Sequence, residues 1–161
     1  MASERSVGLA DDFARANAEA VAFARGCSDE QWALTVPGEG WTLGVVVHHI
    51  AEGHGHGVRW LGQIASGEGV TDTAESIDKE NAAHAVRAES AERDETVALL
   101  RVNGSQLEEV LRGLSDEELD RAAPFGPAGG RSLRTEDLAA VPARHTREHL
   151  SHAQGAVAGD Y

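Results

Sequence analysis

Residues 42–64 read TLGVVVHHIAEGHGHGVRWLGQI, and this stretch decides the fold. Val45, Val46, His49, Gly53, His56 and Trp60 recur at three- and four-residue intervals, the spacing of one face of an α-helix. His48 falls instead with Gly44, Glu52, Gly55 and Arg59 on a polar flank. The spacing therefore predicts a long helix with His49 directed inward and His48 directed away. Gly44, Gly53, Gly55, Gly57 and Gly62 each cost this helix up to about 1 kcal/mol relative to alanine. Their presence points to close approach of a neighbouring backbone or to room for a ligand.

The same helical spacing extends outward along the chain. Residues 5–25 carry Leu9, Phe13, Ala16, Ala20, Phe23 and Ala24, and Gly26 is a stop. Residues 90–114 carry Val97, Leu100, Leu107, Val110, Leu111 and Leu114, with a break at Asn103-Gly104-Ser105 left open. A last helix is expected over 136–156, with Thr135 as N-cap and a kink at Pro142. Ser28 to Gln31 and Ser115 to Glu118 are capping boxes that open short helices, and the polar run 76–89 reads as another. Residues 37–40 and 124–130 are loops, and no segment reads convincingly as a strand. These features predict an all-α protein, a four-helix bundle with short accessory helices, folded as one domain over residues 1–161.

Composition narrows the class of partner. Lys and Arg number 14 against 27 Asp and Glu, a net charge of −13, which repels nucleic-acid phosphates and anionic membrane surfaces. No run of 18 apolar residues exists, and with Glu4, Asp11 and Asp12 in the first dozen residues no signal sequence is expected there. Cys27 is the single cysteine, so a disulfide-stapled fold is excluded and a cytoplasmic location is expected. Arginine supplies nearly all the positive charge, with Lys79 the one lysine. Together with abundant Ala and Gly, this indicates a GC-rich bacterial genome.

Eight histidines accompany that single cysteine. His145, His149 and His152 lie at about 0°, 40° and −20° around a helix, on the face shared by Leu138 and Val141. The i, i+4 pair His145 and His149 can bind one metal ion. With His49 from the other helix, they form a tridentate constellation of the kind built in bundle cores. The alternative is a cluster of packed, mutually hydrogen-bonded histidines. Three imidazoles suit Zn first, with Ni and Fe as further candidates. His56, His152 and Glu52 are candidates for general acid–base groups or hydrogen-bond partners of the ligands, although a surface pair of Glu52 with Arg59 or His48 is the simpler reading. Trp60 and Asn81 are weaker candidates for contact with substrate. His54 and His84 read as surface residues, and Cys27 lacks the partner that a reactive thiol motif would supply.

Several motifs in order carry a resemblance. They are Ser28-Asp29-Glu30-Gln31-Trp32, Gly40-Trp41-Thr42-Leu43 with His49 eight residues after the Trp, Ile77-Asp78 with Asn81, and Ser115 to Leu119. His145-x3-His149-Leu150 with Ala153-Gln154 completes the series. On these the chain resembles the DinB-like superfamily, which includes mycothiol-dependent maleylpyruvate isomerases and other thiol S-transferases. The resemblance implies a four-helix bundle holding a divalent metal through His49, His145 and His149.

Three neutral ligands leave coordination positions open, the style of a catalytic site. The leading expectation is a transferase or isomerase that activates a low-molecular-weight thiol such as mycothiol, with bacillithiol and glutathione as alternatives. A metal-dependent hydrolase on the same ligands is the second reading. A non-enzymatic metal- or small-molecule-binding stress or resistance protein is the third. The expected partner is a small-molecule substrate or thiol, with a homodimer left open.

Overall fold

The computed structural model describes residues 3–159. Helix α1 spans Glu4–Gly26 and opens on a reciprocal cap between Ser3 and Ser6. Helix α2, Asp29–Trp32, opens on the Ser28/Gln31 box. Helix α3 spans Leu43–Ser66; the Thr42 hydroxyl accepts the Val45 N–H at its start, and Gly67, left-handed at φ 88°, ends it. Then come α4 (Ala74–Arg87), α5 (Arg93–Gly113) and α6 (Asp116–Asp120), the last opened by the Ser115/Glu118 box. A short hairpin follows, β1 (Ala122–Phe125) against β2 (Arg131–Arg134), then α7 (Thr135–Ala139) and α8 (Val141–Ala158).

The long helices form a four-helix bundle in which α1 packs on α5, α5 on α3, α3 on α8 and α8 back on α1. Thus α1 and α3 face each other across the diagonal, as do α5 and α8. The apolar interior lies in two parts. One is built around Phe13, Leu61, Ile64, Leu107 and Leu111, the other around Val46, Ile50, Leu100 and Leu150. Fully burying each such side chain stabilises the fold by about 1.5–3 kcal/mol. Between the two parts, every long helix presents polar groups: Asn17 on α1, His49 and His54 on α3, Asn103 on α5, and His145, Thr146 and His149 on α8. This polar layer crosses the bundle at mid-height.

One expectation from sequence holds and three change. First, α5 runs unbroken through Asn103-Gly104-Ser105. Gly104 is there for close packing, since a Cβ would lie 2.1 Å from Asn17 Nδ2. Second, the last helix is interrupted rather than kinked, because Pro142 sits in the first turn of a new helix, where its missing N–H costs nothing. Third, Thr135 is the first residue of α7 rather than its cap, and its hydroxyl donates to the Arg121 carbonyl. Fourth, a strand pair exists where a loop was expected: Ala122 to Phe125 pair antiparallel with Arg134 to Arg131. The chain reverses through Gly129 and Gly130, both at positive φ. Among the described residues no helix is long and apolar enough to cross a membrane.

Candidate metal centre

The histidines of α3 and α8 meet in the polar layer. His49 Nε2 lies 3.3 Å from His145 Nε2. The ring centroids of His49 and His149 are 4.9 Å apart, and those of His145 and His149 4.5 Å apart. One nitrogen from each of the three rings lies within 4.8 Å of the other two, so the group can hold a metal ion. Two nitrogens at zinc bonding distance, about 2.0–2.1 Å, and a tetrahedral angle are separated by about 3.3–3.4 Å. The His49–His145 spacing fits that edge.

The protonation chemistry fits as well. Burial, with the neighbouring His145, His149 and His84 acting in the same direction, lowers the His49 pKa to about 3. Burial also holds His145 at about 3. Both rings are therefore neutral at physiological pH and offer lone pairs, as ligation requires.

A carboxylate supports the third ring. Glu39 Oε1 lies 2.8 Å from His149 Nδ1 and 2.6 Å from His152 Nδ1. An Nδ1–H donated to Glu39 leaves His149 Nε2 as the free lone pair, an arrangement that commonly orients metal-binding histidines. Burial raises the Glu39 pKa, but the hydrogen bonds and charges of His152 and His149 outweigh it and hold the carboxyl below its ordinary value. Sequence periodicity missed Glu39 because it lies in a loop. A signal was present, however: the acid stands between Gly38 and Gly40, both left-handed (φ 84° and 74°), in a tight turn just before the α3 cap.

The three rings open onto a cavity of about 450 Å³. Its apolar walls include Trp41, Trp60, Ile77, Leu138, Val141 and Pro142, and its polar positions include Glu39, Glu80 and Asn81. Trp60 is fixed from behind. Its Nε1–H donates to Asp72 at 2.6 Å, and Phe125 of the hairpin meets its ring edge-on at 5.4 Å. Gly53 makes room for the site, because a Cβ there would lie 3.1 Å from His145 Cε1.

The remaining candidates separate. His56, Trp60 and Asn81 line the cavity, and His56 Nδ1 also lies 3.1 Å from an Arg59 nitrogen. His152 stands beside Glu39, behind the His149 ring. Glu52 does not line the cavity. Its carboxylate approaches Arg87 at 3.6 Å and His84 at 3.9 Å, in place of the expected Arg59 or His48. His54 and His84 are buried, each 1% exposed, which corrects their reading as surface residues. His54 crosses the bundle diagonal to bond Asn17 at 2.9 Å and packs edge-on against Phe13. His48 turns away from the three-histidine group as expected, yet its Nδ1 lies 2.9 Å from His84 Nε2. Cys27 is buried, with its thiol directed at the Phe23 carbonyl.

Comparison with known proteins agrees with this architecture. No curated protein matches the chain. Among solved structures, YfiT from Bacillus subtilis superimposes with a TM-score of 0.80 at 18% identity, covering 97% of this chain and 87% of that one. It is described as a probable metal-dependent hydrolase with an unusual four-helix bundle topology. A mycothiol-dependent maleylpyruvate isomerase superimposes with a TM-score of 0.70 at 16% identity, covering 92% of this chain and 59% of that one. At such identities the likeness is one of fold. The DinB superfamily model matches residues 12–153, from the middle of α1 to near the end of α8, and the chain belongs to the DinB superfamily.

Proposed function

We propose that this protein is a metal-dependent transferase or isomerase that uses an uncharged, sugar-bearing thiol of the mycothiol type. The observation that carries the reading is the set of three imidazoles, His49, His145 and His149, opening into a largely apolar-walled cavity whose described lining bears carboxylates but no Lys or Arg. A divalent ion there supplies a positively charged open position that favours the thiolate form of a thiol. His49, His145 and His149 hold the ion, and Glu39 fixes the ring of His149. Trp41, Trp60 and Leu138 exclude water from the sulfur. His56, on the cavity wall, is placed to take or return a proton.

The choice of thiol rests on charge. Glu39 and Glu80 line the cavity, and no Lys or Arg is among the described residues that do so. Thiols that carry carboxylates, such as glutathione and bacillithiol, meet repulsion from Glu39, while the charge of Glu80 is offset by Arg87 at 2.8 Å. Hydroxyl and amide groups find acceptors in Glu80 and Asn81. The mycothiol-dependent neighbour, similar in fold, supports the same class of co-substrate. Hydrolysis is the second reading, supported by the description of YfiT.

The test is calorimetric titration of mycothiol, bacillithiol and glutathione into the zinc-loaded protein, with proton release followed in parallel. Mycothiol is expected to bind best and to release a proton, and His145→Ala is expected to abolish both effects. Affinity no better than about 1 mM for all three thiols, or binding unchanged after metal removal, would remove the thiol reading and leave hydrolysis in front.

A further inference from the structure

A second cluster of ligating groups lies about 100° round α3 from His49. His48 and Glu52, one turn apart on α3, converge with His84 of α4. Their donor atoms lie within 4.8 Å of one another. We infer that His48, Glu52 and His84 form a second divalent-cation site, distinct from the three-histidine centre and independent of the reading proposed for it.

Three observations carry this inference. The first is the donor set: two imidazoles and one carboxylate form a chelating group for first-row divalent ions. His48 Nδ1 and His84 Nε2 are already 2.9 Å apart, and Glu52 Oε2 is 3.9 Å from His84 Nε2. With each ring carrying its proton on the outer nitrogen, both inner lone pairs point at one ion and the rings release no net proton. The second observation is the state of His84. It is 1% exposed, and its Nδ1 has no hydrogen-bond partner, so all its polar contacts lie on the side of His48 and Glu52. The third is the competing cation. Arg87 Nη2 is 3.6 Å from Glu52 but 2.8 Å from Glu80, so Arg87 keeps a partner when Glu52 turns to an ion.

The site has a structural consequence. His84 is the one buried residue of α4, which also supplies Ile77, Glu80 and Asn81 to the cavity wall. A cation at the second site ties α4 to α3 and so fixes that wall.

The experiment is zinc titration against a chromophoric competitor, using wild type, His145→Ala, Glu52→Gln and His48→Ala, each checked for helicity. Hydrogen exchange of α4 is followed at each zinc equivalent. Two classes of site are expected in the wild type. His145→Ala loses the tighter class and keeps the weaker. Glu52→Gln and His48→Ala keep the tighter class and weaken the other by at least about tenfold, since loss of even an indirect ligand contact costs that much. The α4 amides gain protection at the second equivalent in wild type but not in Glu52→Gln. If neither Glu52→Gln nor His48→Ala loses zinc relative to wild type, the second site does not exist, whatever His145→Ala shows. Loss of all zinc in His145→Ala alone likewise overturns it.

Discussion

Gly53→Ala separates the metal centre from the stability of the helix that carries it. The new methyl would lie 3.1 Å from His145 Cε1 and 3.5 Å from its Nδ1. Ordinary carbon contacts are about 3.5–4.0 Å, so the ring must retreat by a few tenths of an ångström. Metal–ligand distances tolerate only about 0.2 Å, and His145 Nε2 already stands at a fitting distance from His49. A shift of that size is expected to weaken tight zinc binding about tenfold, or about 1.4 kcal/mol. Helix propensity acts in the opposite direction, because Ala replaces Gly inside α3 with a gain of up to about 1 kcal/mol. For a chain of this size that raises Tm by about 2–4 °C. Gly55→Ala is the control, since nothing lies within 4 Å of its added methyl. Both variants should melt higher than wild type in the presence of chelator, while only Gly53→Ala loses affinity in a competition titration. Equal tight zinc affinity in the two variants would show that His145 does not ligate from the position described.

Three further outcomes are expected. Glu39→Gln removes the charge that two imidazole N–H groups share and should weaken zinc binding at least about tenfold while leaving Tm of the metal-free protein nearly unchanged; competition titration and melting read the two effects. The metal-free protein should lose stability steeply on mild acidification. His49 and His145 are held at about 3 and His54 at about 4, against 6.5 unfolded, so the unfolded chain gains protons first and the stability present above pH 6.5 falls as pH drops towards those values. Near pH 5 these three rings give a slope of about 4 kcal/mol per pH unit, and a slope of about 1 or less in denaturant titrations would show that they are solvated. Asn17→Ala strips the half-buried partner from both His54 and the Leu100 carbonyl and should cost about 1–3 kcal/mol, with zinc affinity retained; a loss well under about 1 kcal/mol would mean that water replaces the amide.

The long helices and the meeting of His49 with His145 and His149 were legible because both depend on one helical period. That period fixes which side chains share a face, and the capping boxes at Ser28 and Ser115 mark boundaries by local chemistry alone. Tertiary docking, loops and short strands place the remaining side chains, and none of these leaves a helical period to follow. His54 lies about 140° from His49 around α3, outside the apolar face, and is buried because α3 faces α1 across the diagonal as well as touching α5 and α8. His84 belongs to a polar helix with no apolar face of its own, so only its docking against α3 buries it. Glu39 sits in a loop, where no period exists to aim a side chain. The β1–β2 hairpin has strands of four residues, too short for alternation to stand out, and Pro124 argues against a strand. Pro142 does disrupt the last helical segment, but the first turn of a new helix accommodates it without strain.

The spacing of the three imidazoles along the chain also bears on the lifetime of the native state. His145 and His149 are one turn apart and can come together in an isolated helix, whereas His49 lies 96 residues before His145. An ion shared by all three rings exists only after α8 has docked on α3, and a contact of such sequence separation must first meet the entropy of closing the loop between them, which favours its forming late in assembly and opening early in disassembly. Such a contact adds little to the speed of folding and acts mainly on the barrier to unfolding. The loaded protein should therefore resist protease and heat for far longer than its equilibrium stability alone would suggest, and the α3–α8 seam is where it would first open once the ion is stripped.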